Sequence, residues 1–81
     1  MKMIFDIETN DLDATKVWCL VAKELSGEIY KFGHNQIQDG LDLLSTADTL
    51  IGHNIIGFDL PVLERLYNFK FTGKIVDTLV M

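Results

Sequence analysis

Asp6 and Glu8 stand two residues apart in a run that otherwise reads as a buried strand, Lys2-Met3-Ile4-Phe5-Asp6-Ile7-Glu8. Ile4, Phe5 and Ile7 favour extended backbone, and no turn former interrupts them. Side chains alternate along a strand, so both carboxylates point the same way, roughly 7 Å apart at the usual rise. Two such charges repel by about 2 kcal/mol at an effective dielectric of about 20, and burial adds a desolvation cost. A divalent cation beside them turns that repulsion into attraction, because hard cations take oxygen ligands. The plainer alternative makes Asp6 and Glu8 the polar face of an edge strand.

A second chemical stretch is Asn54-Ile55-Ile56-Gly57-Phe58-Asp59, with Gly52 and Gly57 freeing the backbone on either side. Asp59 precedes a predicted helix, where the dipole and free N–H groups stabilise an acid without any catalytic role. The Asn54 amide can satisfy loop backbone in the same structural way. His53 reads as a loop or strand-end histidine, not as a ligand.

The elements that must hold these residues follow from periodicity. The first strand spans about Lys2 to Glu8, and Thr9-Asn10-Asp11 breaks it. Lys16 to Leu25 is a second strand, apolar on both faces in its middle, which predicts a central position. Ser26-Gly27 turns the chain into a third strand, Glu28 to Gly33, giving an antiparallel hairpin. Ile37, Leu41, Leu44 and Ala47 recur at helical spacing, so a helix starts near Asn35 and ends at Asp48. Gly40 within it costs about 1 kcal/mol. Thr49-Leu50-Ile51-Gly52 is a short buried strand, parallel to the first because a crossover helix precedes it. His53 to Asp59 forms a loop. A second helix runs from Leu60 to Phe69, with Pro61 tolerated in its first turn. Its apolar face is Val62, Leu63, Leu66 and Tyr67, and Glu64 and Arg65 face solvent. Lys74 to Met81 begins a fifth strand. The order βββαβαβ predicts an α/β domain with a mixed sheet.

The 81 residues make one domain, 1–81, and 48% hydrophobic content makes it globular. Phe5, Trp18, Tyr30, Phe32, Phe58, Tyr67, Phe69 and Phe71 can fill a small core. The net charge of −5 argues against simple electrostatic adhesion to nucleic acid or an anionic membrane. It leaves open a nucleic-acid enzyme whose site is acidic because it holds metal. Cys19 is the single cysteine, so no internal disulfide and no cysteine-based zinc site is expected. Between Trp18 and Leu20 it reads as a buried, inert thiol suited to a reducing cytoplasm. No signal peptide, membrane span or lipidation signal is visible. The sequence ends on an apolar run, which a fragment boundary does more often than a natural terminus.

Taken together, Asp6-Ile7-Glu8-Thr9 and Asn54-Ile55-Ile56-Gly57-Phe58-Asp59 resemble the first two motifs of the DEDD family of 3′–5′ exonucleases, whose fold is RNase H-like. Leu60-Pro61-Val62-Leu63 and Ile75-Val76-Asp77-Thr78-Leu79 extend the similarity over essentially the whole chain. It is nearest to the proofreading domain at the N-terminus of bacteriophage family A DNA polymerases. The resemblance implies an RNase H-like mixed sheet, truncated before the C-terminal helices, and phosphodiester hydrolysis at a DNA 3′ end with two Mg²⁺ ions, Mn²⁺ being a substitute. It also implies that Asp6, Glu8 and Asp59 are catalytic metal ligands, with Asp6 on both ions. Thr9 would contact the 3′-terminal nucleotide, and Asn54 and Phe58 would shape the substrate cleft, Phe58 being equally suited to the core. The implied partners are a single-stranded DNA 3′ end and the remainder of a longer polymerase chain, in the host cytoplasm if the source is a phage.

One part of the family pattern is missing. Its third motif, a water-orienting Tyr or His followed by a fourth metal-binding Asp, lies beyond the end of this sequence. Asp77 has no Tyr or His suitably placed before it and is expected to be structural or to edge the cleft. Three readings follow. The chain is an exonuclease segment, weak or inactive alone. Alternatively it is a non-catalytic RNase H-like module binding metal, single-stranded DNA or a protein partner. In a third reading exposed apolar surface promotes self-association and a second copy supplies the missing groups.

Overall fold

The computed structural model describes residues 1–79. Five strands and two α-helices follow one another as β1 (Lys2–Thr9), β2 (Val17–Glu24), β3 (Ile29–Gly33), α1 (Ile37–Ser45), β4 (Thr49–Gly52), α2 (Leu60–Tyr67) and β5 (Lys74–Asp77). They form one mixed sheet in the order β3-β2-β1-β4-β5. β1–β2 and β2–β3 are antiparallel, and β1–β4 and β4–β5 are parallel. This is the mixed α/β sheet that the pattern βββαβαβ predicts, and it is consistent with the RNase H-like arrangement that the resemblance implies. Among the described residues no helix is long and apolar enough to cross a membrane.

β1 lies in the middle of the sheet and is not an edge strand, although its pairing with β4 stops at Ile4, before Asp6 and Glu8. Its residues alternate strictly: Met3, Phe5 and Ile7 are buried, while Lys2, Ile4, Asp6 and Glu8 are exposed. The buried set continues across the sheet through Leu20 and Ala22, Phe32 and Tyr30, and Leu50 and Ile75. Ile37, Leu41 and Leu44 of α1 and Val62 and Leu63 of α2 close over this face. Each fully buried leucine there contributes about 1.5–3 kcal/mol. Gly40 has a reason to interrupt α1: a β-carbon there would stand 2.9 Å from the Phe32 ring, so the glycine lets the helix approach β3 closely. The opposite face of the sheet carries Asp6 and Glu8 together with Ile4 and Ile29, which are 40% and 55% exposed.

Several expectations need correction. β2 is an interior strand, paired with β1 and β3, but it stands second from the edge and its second face is open, with Cys19 and Val21 half-buried. Trp18 is 48% exposed and does not fill the core. Cys19 is half-buried on the open side, across from Glu8, and is not sealed in apolar packing. A 3-10 turn over His34–Gln36 precedes α1, which ends at Ser45, three residues before Asp48. The predicted loop is partly a π-helical turn, Ile55–Asp59. α2 stops at Tyr67 because Asn68 turns left-handed at φ 56°, and its N–H caps the Glu64 carbonyl. β5 ends at Asp77; Val80 and Met81, placed by sequence in that strand, lie outside the described residues.

Candidate carboxylate site

β4 pairs with β1 only at Lys2, Met3 and Ile4. Beyond Ile4 the edge of β1 on that side has lost its partner strand, and its backbone groups need other partners. The π turn Ile55–Asp59 fills the gap. Its last residue, Asp59, accepts the Ile7 N–H on Oδ2 at 3.3 Å. π-helical turns are rare and occur often at functional sites. Gly52 permits this approach, since a β-carbon there would meet Ile55 Cγ2 at 2.3 Å and the Phe5 carbonyl at 3.0 Å.

Asp59 is only 4% exposed. Burial and the nearby Asp6 charge push its carboxyl up to about 6, against the opposing pull of the Ile7 N–H. Asp6 and Asp59, far apart in sequence, are therefore drawn into one electrostatic site. Asp6 itself is exposed on the open face, and Glu8 follows it on the same face. Glu8 is the cross-strand neighbour of Cys19, and burial followed by the Glu8 charge raises that thiol above its ordinary range.

Asp77 performs a different task. It is 3% exposed at the end of β5. Its Oδ1 accepts the N–H groups of Asn54 at 2.8 Å and Leu79 at 2.9 Å, and its Oδ2 accepts that of Ile56 at 2.8 Å. Burial opposes its ionisation, but these three donors prevail and hold its carboxyl below the ordinary range. Asp77 thus anchors the start of the turn that delivers Asp59. The structural role expected for it is observed.

The remaining sequence candidates are distributed around this turn. Asn54 begins it in a left-handed conformation at φ 57°, and its carbonyl accepts the Phe58 N–H. Phe58 is half-buried against the core. Thr9 ends β1, and its hydroxyl donates to the Asp11 carbonyl at 2.9 Å. His53 is exposed and bonds Thr78 Oγ1 through Nδ1 at 3.1 Å. Sequence reasoning missed the Ile7 backbone as the tie between the two motifs. A signal was present, since an acid ending a turn beside a truncated parallel partner is well placed to accept a freed N–H.

Among the described residues, no three His, Cys, Asp or Glu side chains stand close enough to hold one metal ion. Two acids nevertheless act on one another across the turn, the Asp6 charge raising the Asp59 carboxyl. A buried carboxyl raised by a like charge is the condition that a cation relieves. A groove of about 310 Å³ beside α2, lined by Leu60, Glu64, Phe69, Lys70, Phe71 and Ile75, shares no residue with this site.

The sequence matches no protein-family model. No curated protein is significantly similar to it. In structure the chain is similar to part of the family B DNA polymerase from the hyperthermophilic archaeon Pyrobaculum calidifontis, with a TM-score of 0.79 over 96% of this chain at 19% identity. The chain spans about 15% of that polymerase's length. The likeness shows that the fold is one found within a DNA polymerase. At 19% identity it shows the fold alone and does not bear on the resemblance of the motifs to family A phage polymerases.

Proposed function

We propose that this chain is part of a 3′–5′ exonuclease domain of a DNA polymerase, hydrolysing phosphodiester bonds at a DNA 3′ end. The observation that carries this reading is the meeting of Asp6, on the central strand, with the buried Asp59 through the intervening Ile7 N–H. A purely structural acid gains nothing from a like charge beside it. The motif resemblance, nearest to bacteriophage family A polymerases, and the polymerase-type fold support the same reading.

In this reading Asp6, Glu8 and Asp59 would hold Mg²⁺ or Mn²⁺. Bound there, such ions would activate water and stabilise a leaving 3′ oxygen. The chain's own contribution is positional. β1 presents Asp6 and Glu8 on one face, and the Ile7 N–H fixes one Asp59 oxygen while leaving the other available. With its carboxyl at about 6, Asp59 is mostly ionised at pH 7 and retains a proton only in mildly acidic solution. Thr9, Asn54 and Phe58 flank these acids and are the proposed contacts to the terminal nucleotide. The partners are a single-stranded DNA 3′ end and the remaining polymerase chain.

The test is shortening of 5′-labelled single-stranded DNA in Mn²⁺ by the wild-type chain and by Asp6→Ala. The expected result is slow shortening from the 3′ end that falls roughly 100-fold or more in the variant, since the ligands act as a unit. A folded wild-type chain with no metal-dependent shortening would leave either an exonuclease segment inactive alone or the second reading, a non-catalytic module of the same fold. That reading draws its support from the unassembled three-ligand group.

A further inference from the structure

The pairing of β1 with β2 slips near its end: Glu8 faces Cys19, but Thr9 faces Val17. Trp18 is the extra residue of that bulge. Bulges re-aim a side chain and are frequent beside active sites. Here the bulge turns out a tryptophan that is 48% exposed, while Val17 next to it is fully buried. The Lys16 ammonium lies over the indole, 4.1 Å from its centroid. The His34 ring stands 5.7 Å away, tilted by 57°, and its Nδ1 contacts the Val17 carbonyl at 3.2 Å. A large aromatic side chain is thus held in place and partly open, with a cation over one face of its ring.

We infer that Trp18 is a stacking platform for a base of single-stranded nucleic acid, with Lys16 supplying the charge that meets the adjoining phosphate. Every base has a π face, and aromatic side chains beside basic groups bind single strands by stacking on it. The location supports this. Trp18 lies on the strand next to β1, in the bulge between the residues that face Glu8 and Thr9, beside the end of β1 that carries the acids. With a net charge of −5, the chain draws little attraction from its overall field, so stacking carries a large share of affinity. This inference rests on the reading of the chain as a nucleic-acid enzyme.

Trp18 is the only tryptophan, so its emission reports on this site directly. The wild-type chain is titrated with a short oligothymidylate at low salt in EDTA, where neither metal nor hydrolysis contributes. The expected result is saturable quenching of Trp18. Binding of a labelled oligonucleotide, followed by anisotropy, should weaken roughly 5- to 150-fold in Trp18→Ala, the range that base–aromatic stacking provides. Trp18→Phe should recover most of it. Unchanged emission throughout the titration overturns the inference, as does equal binding by Trp18→Ala. Emission that shifts with protein concentration and ignores oligonucleotide also overturns it, by assigning Trp18 to contacts between copies. Quenching without nuclease activity would leave the platform standing and count against the carboxylate reading; activity without quenching would do the reverse.

Discussion

The Asp59 carboxylate accepts the backbone N–H of Ile7, the residue that separates Asp6 from Glu8. One hydrogen bond therefore ties the start of α2 to the acid-bearing end of the central strand. It holds a buried acid next to an exposed one, at an electrostatic cost that Asp59 registers.

That cost should be visible in stability. The Asp59 pKa is about 6 in the folded chain and about 3.9 when unfolded. Between these values the folded state binds the extra proton, so without metal, stability falls as pH rises from about 4 to about 6 and then levels. The loss amounts to roughly 2–3 kcal/mol. Asp59→Asn, which keeps an acceptor for Ile7, should abolish this slope and raise stability at pH 7 by up to that amount. Urea unfolding at a series of pH values in EDTA checks both.

Asp77 predicts the opposite sign. Its depressed carboxyl stabilises the fold above the unfolded carboxylate range and loses that effect as pH falls through its folded value. Asp77→Ala should lower Tm clearly at pH 7, because three N–H groups lose their acceptor. Amide exchange should accelerate first at Asn54 and Ile56, which a general loss of core packing would not single out.

Gly52→Ala places a methyl against Ile55 and the Phe5 carbonyl. Overpacking of this kind costs about 1–3 kcal/mol. Its effect should spread to the Ile7 amide, whose exchange with solvent should quicken as the turn is pushed off β1. An Ile7 amide as protected as in wild type would show that the turn does not depend on this glycine.

Much of this was legible in the residues, for identifiable reasons. The β-favouring run of Ile4, Phe5 and Ile7 without a turn former gives β1, and helical spacing of Ile37, Leu41 and Leu44 gives α1. The crossover before Thr49 gives the parallel pairing of β4 with β1. The carboxylate meeting was expected only through resemblance, because no periodicity relates Asp6 to Asp59; the shortness of β4 creates it. Trp18 was misplaced because hydrophobicity counts toward a core regardless of register, and the bulge at Glu8–Thr9 has no glycine or proline to announce it. Gly57 looks like a breaker and so predicts a loop where the π turn stands, whereas a β-carbon there would collide with the Asn54 side chain.

The proposed binding of a divalent cation by Asp6 and Asp59 is open to direct observation, by following Mn²⁺ binding with electron paramagnetic resonance. Free Mn²⁺ gives a sharp signal that falls when the ion is bound. The account predicts saturable loss of signal with the wild-type chain at pH 7, strongly weakened in Asp6→Ala and in Asp59→Asn. A folded wild-type chain that leaves the Mn²⁺ signal unchanged would contradict it.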